Sequence, residues 1–263
     1  MKQKSLKFKS INVSFTDEGK GKAVVFLHGF LGAKEVWKYF SKELSKTQRV
    51  ITIDLLGHGK TDCLSYVHTM EEMAEAVEAV LHHLKLRKYF LVGHSLGGYV
   101  SLAMAEKTPD SIKGLVMFHS SAKADGEQKK KDRDRVVKIV KINPKIFINE
   151  AVPNLFNRKH KPNKRGVEQY RKIAHLTSKQ GIVAALEGMK DRVDREIIIK
   201  FAPYPVLYII GEEDNVLNAT DLVAQANFPE NGSYVMLPKI GHMGFIEAKS
   251  ETYKVVKNFV TNN

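Results

Sequence analysis

An apolar, strand-like run, Tyr89 to Val92, leads directly into Gly93-His94-Ser95-Leu96-Gly97, and Gly98 to Ala105 continues as a helix. Glycines at both ends let a strand turn sharply into a helix and force the central serine into a strained conformation that lifts its hydroxyl above the sheet. Bulkier residues there would clash. The first N–H groups of the following helix point at the space beside Ser95, where a developing oxyanion can sit.

A serine hydroxyl needs a base within hydrogen-bond reach, and the base needs a third group to orient it. Val206 to Ile210 is an apolar run that ends in Gly211-Glu212-Glu213-Asp214, so a carboxylate stands just past the end of a strand. Ser233 to Leu237 is another candidate strand, followed by Ile240-Gly241-His242-Met243-Gly244. Ser95, Asp214 and His242 thus occur in the order nucleophile, acid, histidine, each on a loop after a strand. Ala23 to Leu27 leads into His28-Gly29-Phe30-Leu31-Gly32, and the backbone N–H of Phe30 is the candidate partner of the Leu96 N–H in an oxyanion hole. Each such donor is worth roughly 3 kcal/mol of transition-state stabilisation. His28 reads as a buttress of this loop.

Taken together with the turn Asp54-Leu55-Leu56-Gly57-His58-Gly59-Lys60-Thr61, these pieces make the chain resemble an α/β-hydrolase-fold serine hydrolase of the carboxylesterase type, over essentially its whole length. The resemblance implies an α/β fold with a mostly parallel, eight-stranded central sheet, helices on both faces and an inserted helical cap. It also selects Asp214 over its rivals Glu212 and Glu213 as the acid, and it implies an acyl-enzyme mechanism without metal or organic cofactor. Asp54, His58 and Asp62 are explained by hydrogen bonding within their turn. Haloalkane dehalogenases and epoxide hydrolases of this fold use an aspartate nucleophile, whereas position 95 is serine. Pyruvate-eliminating synthases of the menaquinone pathway carry an arginine where this chain has Tyr99; cap arginines such as Arg133, Arg135, Arg158, Arg165, Arg171 or Arg192 remain available to bind a carboxylate.

The strand candidates are Lys4 to Ser10, Asn12 to Asp17, Ala23 to Leu27, Val50 to Asp54, Tyr89 to Gly93, Gly114 to His119, Val206 to Gly211 and Ser233 to Pro238. The first two alternate polar and apolar residues as antiparallel edge strands do, and the later runs suit strands buried on both faces. Lys34 to Ser45, Met70 to His83, Gly98 to Glu106, Ala219 to Ala226 and Ser250 to Thr261 have the periodicity of covering helices. Strand–helix alternation breaks between His119 and Pro203, a stretch too long for one structureless loop. The expected organisation is a core of residues 1–118 and 203–263 with a cap over 119–202. Its helices are expected over Asp125 to Ile142, Pro144 to Phe156, Asn163 to Ser178 and Gln180 to Asp191. Its inner apolar residues would be drawn from Ile139, Ile146, Phe147, Val152, Leu155, Phe156, Ile173, Leu176, Val183, Leu186 and Met189. The substrate pocket is expected to include Phe30, Tyr99, His119, Phe147, Leu155 and Met243.

With 43% hydrophobic and 27% charged residues over 263 positions, the chain can bury a sizeable core. The formal charge is +13, and the basic residues are scattered, with dense runs at Lys129-Lys130-Lys131-Asp132-Arg133-Asp134-Arg135 and Arg158-Lys159-His160-Lys161-Pro162-Asn163-Lys164-Arg165. No aromatic residues interleave either run, so solvated faces are expected in place of nucleic-acid binding. Cys63 is the single cysteine, which excludes an intrachain disulfide. The N-terminus has no apolar signal core and no run approaches a membrane span, so a cytoplasmic location is expected. The expected function is hydrolysis of small or medium carboxylic esters. A pathway-specific C–C hydrolase or lyase on an anionic substrate is one alternative, and a ligand-binding protein on a hydrolase scaffold is another.

Overall fold

Continuous apolar runs make strands covered on both faces, and Val24 to Leu27, Phe90 to Val92 and Ile209 to Ile210 are fully buried. The computed structural model describes residues 3–157 and 164–263. Among them eight strands form one sheet: β1 (Gln3–Phe8), β2 (Ile11–Glu18), β3 (Ala23–Leu27), β4 (Arg49–Ile53), β5 (Tyr89–His94), β6 (Ile112–Phe118), β7 (Val206–Gly211) and β8 (Gly232–Leu237). Their spatial order is β1-β2-β4-β3-β5-β6-β7-β8. β2 runs antiparallel to β1 and β4, and the other neighbours are parallel. Register aligns Leu27 with Gly93, Gly93 with Met117, Phe118 with Ile209 and Gly211 with Leu237. The loops that follow β3, β5, β6, β7 and β8 therefore leave from one edge of the sheet, where ligands bind in open α/β sheets.

The helices are, in chain order, α1 (Lys38–Leu44), α2 (Met70–His83), α3 (Leu96–Lys107), α4 (Glu127–Ile142), α5 (Pro144–Asn154), α6 (Lys164–Ala174), α7 (Lys179–Asp191), α8 (Glu196–Lys200), α9 (Ala219–Ala226), α10 (Gly244–Glu247) and α11 (Lys249–Asn262). Local chemistry sets several starts. The Thr69 side chain accepts from the Glu72 N–H ahead of α2, Asn143 accepts from two N–H groups ahead of Pro144 in α5, and Ser178 caps α7. An aromatic cluster fills one side of the sheet, with Trp37 ring centroids 5.0 Å from Phe26 and 5.1 Å from Phe245.

α4 to α8 lie between β6 and β7, and close contacts tie them to the core. On α7, a Cβ at Gly181 would stand 2.1 Å from the Gly57 carbonyl oxygen and one at Gly188 would stand 1.8 Å from that of His68. The His68 N–H donates to the Ala184 carbonyl at 3.0 Å. Only a helix face stripped of side chains fits this close to the core loops.

Several expectations change. β2 is an interior strand, not an edge; its polar Ser14 and Thr16 are buried, with the Ser14 N–H bonded to Thr61 and the Thr16 hydroxyl to Thr52. The Thr16 hydroxyl is paired and β2 lies between β1 and β4, so a polar alternation here does not mark a sheet edge. Lys34–Trp37 forms a 3-10 turn before α1, and the short helices α8 and α10 follow no clear periodic signal. Ile139, Ile146 and Leu176 are 40%, 51% and 59% exposed, so they do not face inward. Of the second basic run, residues 158–163, Arg158 among them, lie outside the described residues, and Lys164 and Arg165 begin α6. Among the described residues, no helix is long and apolar enough to cross a membrane.

Candidate active site

Ser95 joins β5 to α3 with φ 48° and ψ −113°. A non-glycine residue in that region stores about 1–3 kcal/mol of strain, which surrounding contacts must hold. The Ser95 N–H donates to the Phe118 carbonyl at 3.0 Å, and the Ser120 hydroxyl donates to the Ser95 carbonyl at 2.8 Å. The turn tolerates no side chain at its flanks: a Cβ on Gly93 would stand 2.5 Å from the Gly97 oxygen, and one on Gly97 would stand 2.4 Å from the Leu27 oxygen.

Asp214 and His242 come together from the loops after β7 and β8. The His242 Nδ1 donates to Asp214 Oδ2 at 2.8 Å, which directs Nε2 away from the carboxylate. The other oxygen, Oδ1, accepts from the Val216 and Leu217 N–H groups at 2.7 and 3.1 Å. Burial alone would raise the Asp214 pKa, but the adjoining His242 imidazole and its hydrogen bond, with the His119 ring close by, hold it far below the usual carboxylate range. His242 and Ser95 line the same cavity. Among the described residues no direct hydrogen bond joins them, and such bonds commonly tighten only when substrate is bound. Glu212 accepts instead from the Lys239 N–H at 3.1 Å.

The loop after β3 abuts the elbow, since a Cβ on Gly29 would stand 3.3 Å from that of Ser95. Among the described residues, neither the Phe30 N–H nor the Leu96 N–H donates a hydrogen bond. Leu31 follows with φ 61°, and the Phe30 carbonyl accepts from the Tyr170 hydroxyl on α6 at 3.0 Å. His28 is fully buried, donates from Nδ1 to the Gly29 carbonyl and accepts the Leu55 N–H at Nε2. Burial depresses its pKa to about 4, so it is neutral at pH 7. Asp54 accepts from the Lys34 and Lys60 N–H groups and pairs with the Lys34 ammonium, while Asp62 accepts from the Asn12 N–H. His58 donates within its turn to the Leu56 carbonyl.

The cavity at Ser95 has a volume of about 170 Å³. Phe30, Tyr99, Phe147 and Leu155 line it together with Leu31, Ala151, Tyr170, Met189, Val216 and Leu217. His119 and Met243 do not: both are fully buried, and His119 stands behind the acid with Nδ1 3.5 Å from Asp214 Oδ2. His119 directly follows β6, and Met243 stands at the start of α10.

Sequence reasoning did not single out several supporting residues. Glu247 accepts from the N–H groups of Gly241, Met243 and Asn157, and so clamps the His242 loop to the end of α5. The His242 N–H itself donates to the Leu155 carbonyl at 2.9 Å. Burial, with the neighbouring imidazoles of His242 and His119, lowers the His94 pKa and keeps it neutral, and its Nε2 donates to the His242 carbonyl at 3.0 Å. These are pairings between distant loops, invisible to local pattern. One further group stands on the cavity wall: Asp125 with Arg133 and Arg192, the latter stacked over Tyr99 at 4.2 Å, and Lys129 beside them. Among the described residues, no cluster of three or more His, Cys, Asp or Glu side chains is placed to hold a metal ion.

A family model described as the alpha/beta hydrolase fold matches residues 22–158. A putative 2-succinyl-6-hydroxy-2,4-cyclohexadiene-1-carboxylate synthase of Bacillus subtilis (strain 168) is 28% identical over 269 aligned positions, spanning 96% of each chain. A thermophilic esterase from Thermogutta terrifontis, solved with malate bound, is 27% identical and superposes with a TM-score of 0.93 over 100% of this chain and 99% of its own. The enol-lactonase from Burkholderia xenovorans LB400 superposes with a TM-score of 0.89 at 20% identity, over 98% of this chain and 100% of its own, a likeness of fold.

Proposed function

The chain belongs to the α/β-hydrolase family, and from that premise we propose that it is a serine hydrolase that cleaves small carboxylic esters through an acyl-enzyme. The observation that carries the reading is the 2.8 Å bond between His242 Nδ1 and Asp214, in a cavity that His242 shares with the strained Ser95. His242 takes the Ser95 proton as Oγ attacks the acyl carbonyl, and Asp214 holds the useful tautomer and stabilises the imidazolium. The N–H groups of Phe30 and Leu96 receive the oxyanion. His242 then protonates the leaving alcohol, and a water that it activates releases the acid. In this reading the segment 119–202 is a cap that roofs the serine, with Phe147 and Leu155 facing the acyl group. A cavity of about 170 Å³ favours the short end of the acyl range.

The test is turnover of p-nitrophenyl acetate, butyrate and octanoate by the wild-type chain and Ser95→Ala. The expected result is activity falling with acyl length and lost by at least a thousandfold in the variant. Ester turnover that survives Ser95→Ala would overturn the assignment. A second reading, C–C cleavage or elimination on an anionic substrate, draws support from the Bacillus subtilis relative, whose name is that of a synthase of a cyclohexadiene carboxylate. Tyr99, where such synthases carry arginine, weighs against elimination. Turnover of a vinylogous ring-fission diketone carboxylate with inert p-nitrophenyl esters would favour this second reading.

A further inference from the structure

One wall of the Ser95 cavity carries more positive charge than its own acid neutralises. Asp125, from the loop before α4, is shared by two guanidinium groups. Arg133 of α4 binds it through Nε and Nη2, and Arg192, at the end of α7, meets it through Nη1 at 2.7 Å. Lys129, one turn before Arg133, has no hydrogen bond or ion pair among the described residues. Three cations against one carboxylate leave two uncompensated positive charges on this wall. The other wall, with Phe30, Phe147, Leu155, Val216 and Leu217, is apolar.

Arg192 is the informative member. Its side chain is 6% exposed, yet a buried cation normally has every donor satisfied. Nη1 is used by Asp125 and by the Met189 carbonyl, and one Nη2 hydrogen by the Lys123 carbonyl at 3.0 Å. The Nε–H is buried and has no partner. The Nε–H lies on the side-on edge of the guanidinium, the edge that with Nη2 matches two oxygens of a carboxylate. The plane is held against Tyr99, whose Cα lies one helical turn, about 6 Å, beyond that of Ser95.

We propose that Arg192, with Lys129 and Arg133, forms an anion subsite, and that the natural substrate carries a carboxylate roughly three to five bonds from the carbonyl that Ser95 attacks. This rests on the serine-hydrolase reading for its chemistry, but not for its binding. A carboxylate there completes the donors of Arg192 and balances Lys129, while the apolar wall takes the uncharged half. The apolar wall alone would favour the neutral methyl ester over the charged acid, because a carboxylate is costly to desolvate against it.

The test compares the p-nitrophenyl monoester of glutaric acid with its methyl ester, p-nitrophenyl methyl glutarate, which is neutral and of like length. In the wild-type chain kcat/KM should favour the free acid by at least tenfold, and the ratio should fall about tenfold or more in Arg192→Gln and in Lys129→Gln. Lys129→Gln alters an exposed residue, which guards against a folding failure at Arg192. A wild-type ratio near one with active enzyme overturns the subsite. A second arm does not depend on turnover: calorimetric titration of glutarate into Ser95→Ala at constant ionic strength. Saturable binding that is weakened at least tenfold by adding Lys129→Gln or Arg192→Gln supports the subsite even if both esters are inert, in which case the ester reading alone fails. Absence of saturable glutarate binding overturns it.

Discussion

The sheet edge and the helical segment above it place their side chains by different means. At the edge, five parallel-paired strands end side by side, so Ser95 and His119 directly follow the ladders of β5 and β6, and Phe30, Asp214 and His242 stand on short loops three to five residues beyond β3, β7 and β8. The helices between β6 and β7 have no such ladder. They are placed by a few tight contacts: glycines of α7 on the backbones of Gly57 and His68, Leu155 on the N–H of His242, and Tyr170 on Phe30. In the proposed reading, chemistry belongs to the sheet edge and selectivity to the docked segment. The two should respond differently to substitution.

The largest effect is expected at the edge. Asp214→Asn removes the charge that holds the His242 tautomer, and kcat for a p-nitrophenyl ester should fall about 10⁴-fold, whereas Glu212→Gln should stay within about twofold. Equal losses in the two variants would break the assignment of the acid. Next in size is acid sensitivity of the fold. Burial depresses the pKa of His28 to about 4 and that of His58 to about 3, from an ordinary value of 6.5. The unfolded chain therefore binds more protons below pH 6.5, and stability is fully present above that value. It should decline by at most about 1.4 kcal/mol per pH unit for each histidine as pH falls from 6.5 toward 4, measured by urea unfolding. His28→Gln should flatten that slope, and an unchanged slope would contradict the buried neutral assignment.

A smaller loss is expected from the docked segment. Gly188→Val would force α7 away from the His68 carbonyl, at a cost of about 1–3 kcal/mol and a fall in Tm of several degrees. If the two regions are coupled as described, KM should change more than kcat. The reverse would show that the docking also sets the edge. The smallest change is at Tyr170→Phe, which deletes the hydroxyl bonded to the Phe30 carbonyl. About 1 kcal/mol, or a roughly fivefold fall in kcat/KM, is expected, and no change would mean that this bond does not position the loop.

The same contrast explains what was legible in the sequence. The fold could be read because continuous apolar runs and helix-period segments alternate, and the elbow because its glycines are required locally. Ser95, Asp214 and His242 stand in the sequence one, three and five residues after strands, so strand ends suggested their neighbourhood. His119 and Met243 show the limit of that rule: residue type and position match a pocket, but side-chain direction put both under the surface. β2 misled because buried hydroxyls of Ser14 and Thr16 mimic an exposed face. Glu247, Tyr170 and the pairing of Asp125 with two arginines depend on contacts between segments far apart in the chain, for which a single sequence holds no periodic signal.

Covalent labelling with diisopropyl fluorophosphate, followed by peptide mass spectrometry, tests whether Ser95 is a nucleophile activated by His242. One adduct per chain is expected, on the peptide containing Ser95, formed rapidly in the wild type and slowed by orders of magnitude in His242→Ala. A well-folded wild-type chain left unlabelled at Ser95, or labelled equally fast without His242, would contradict it.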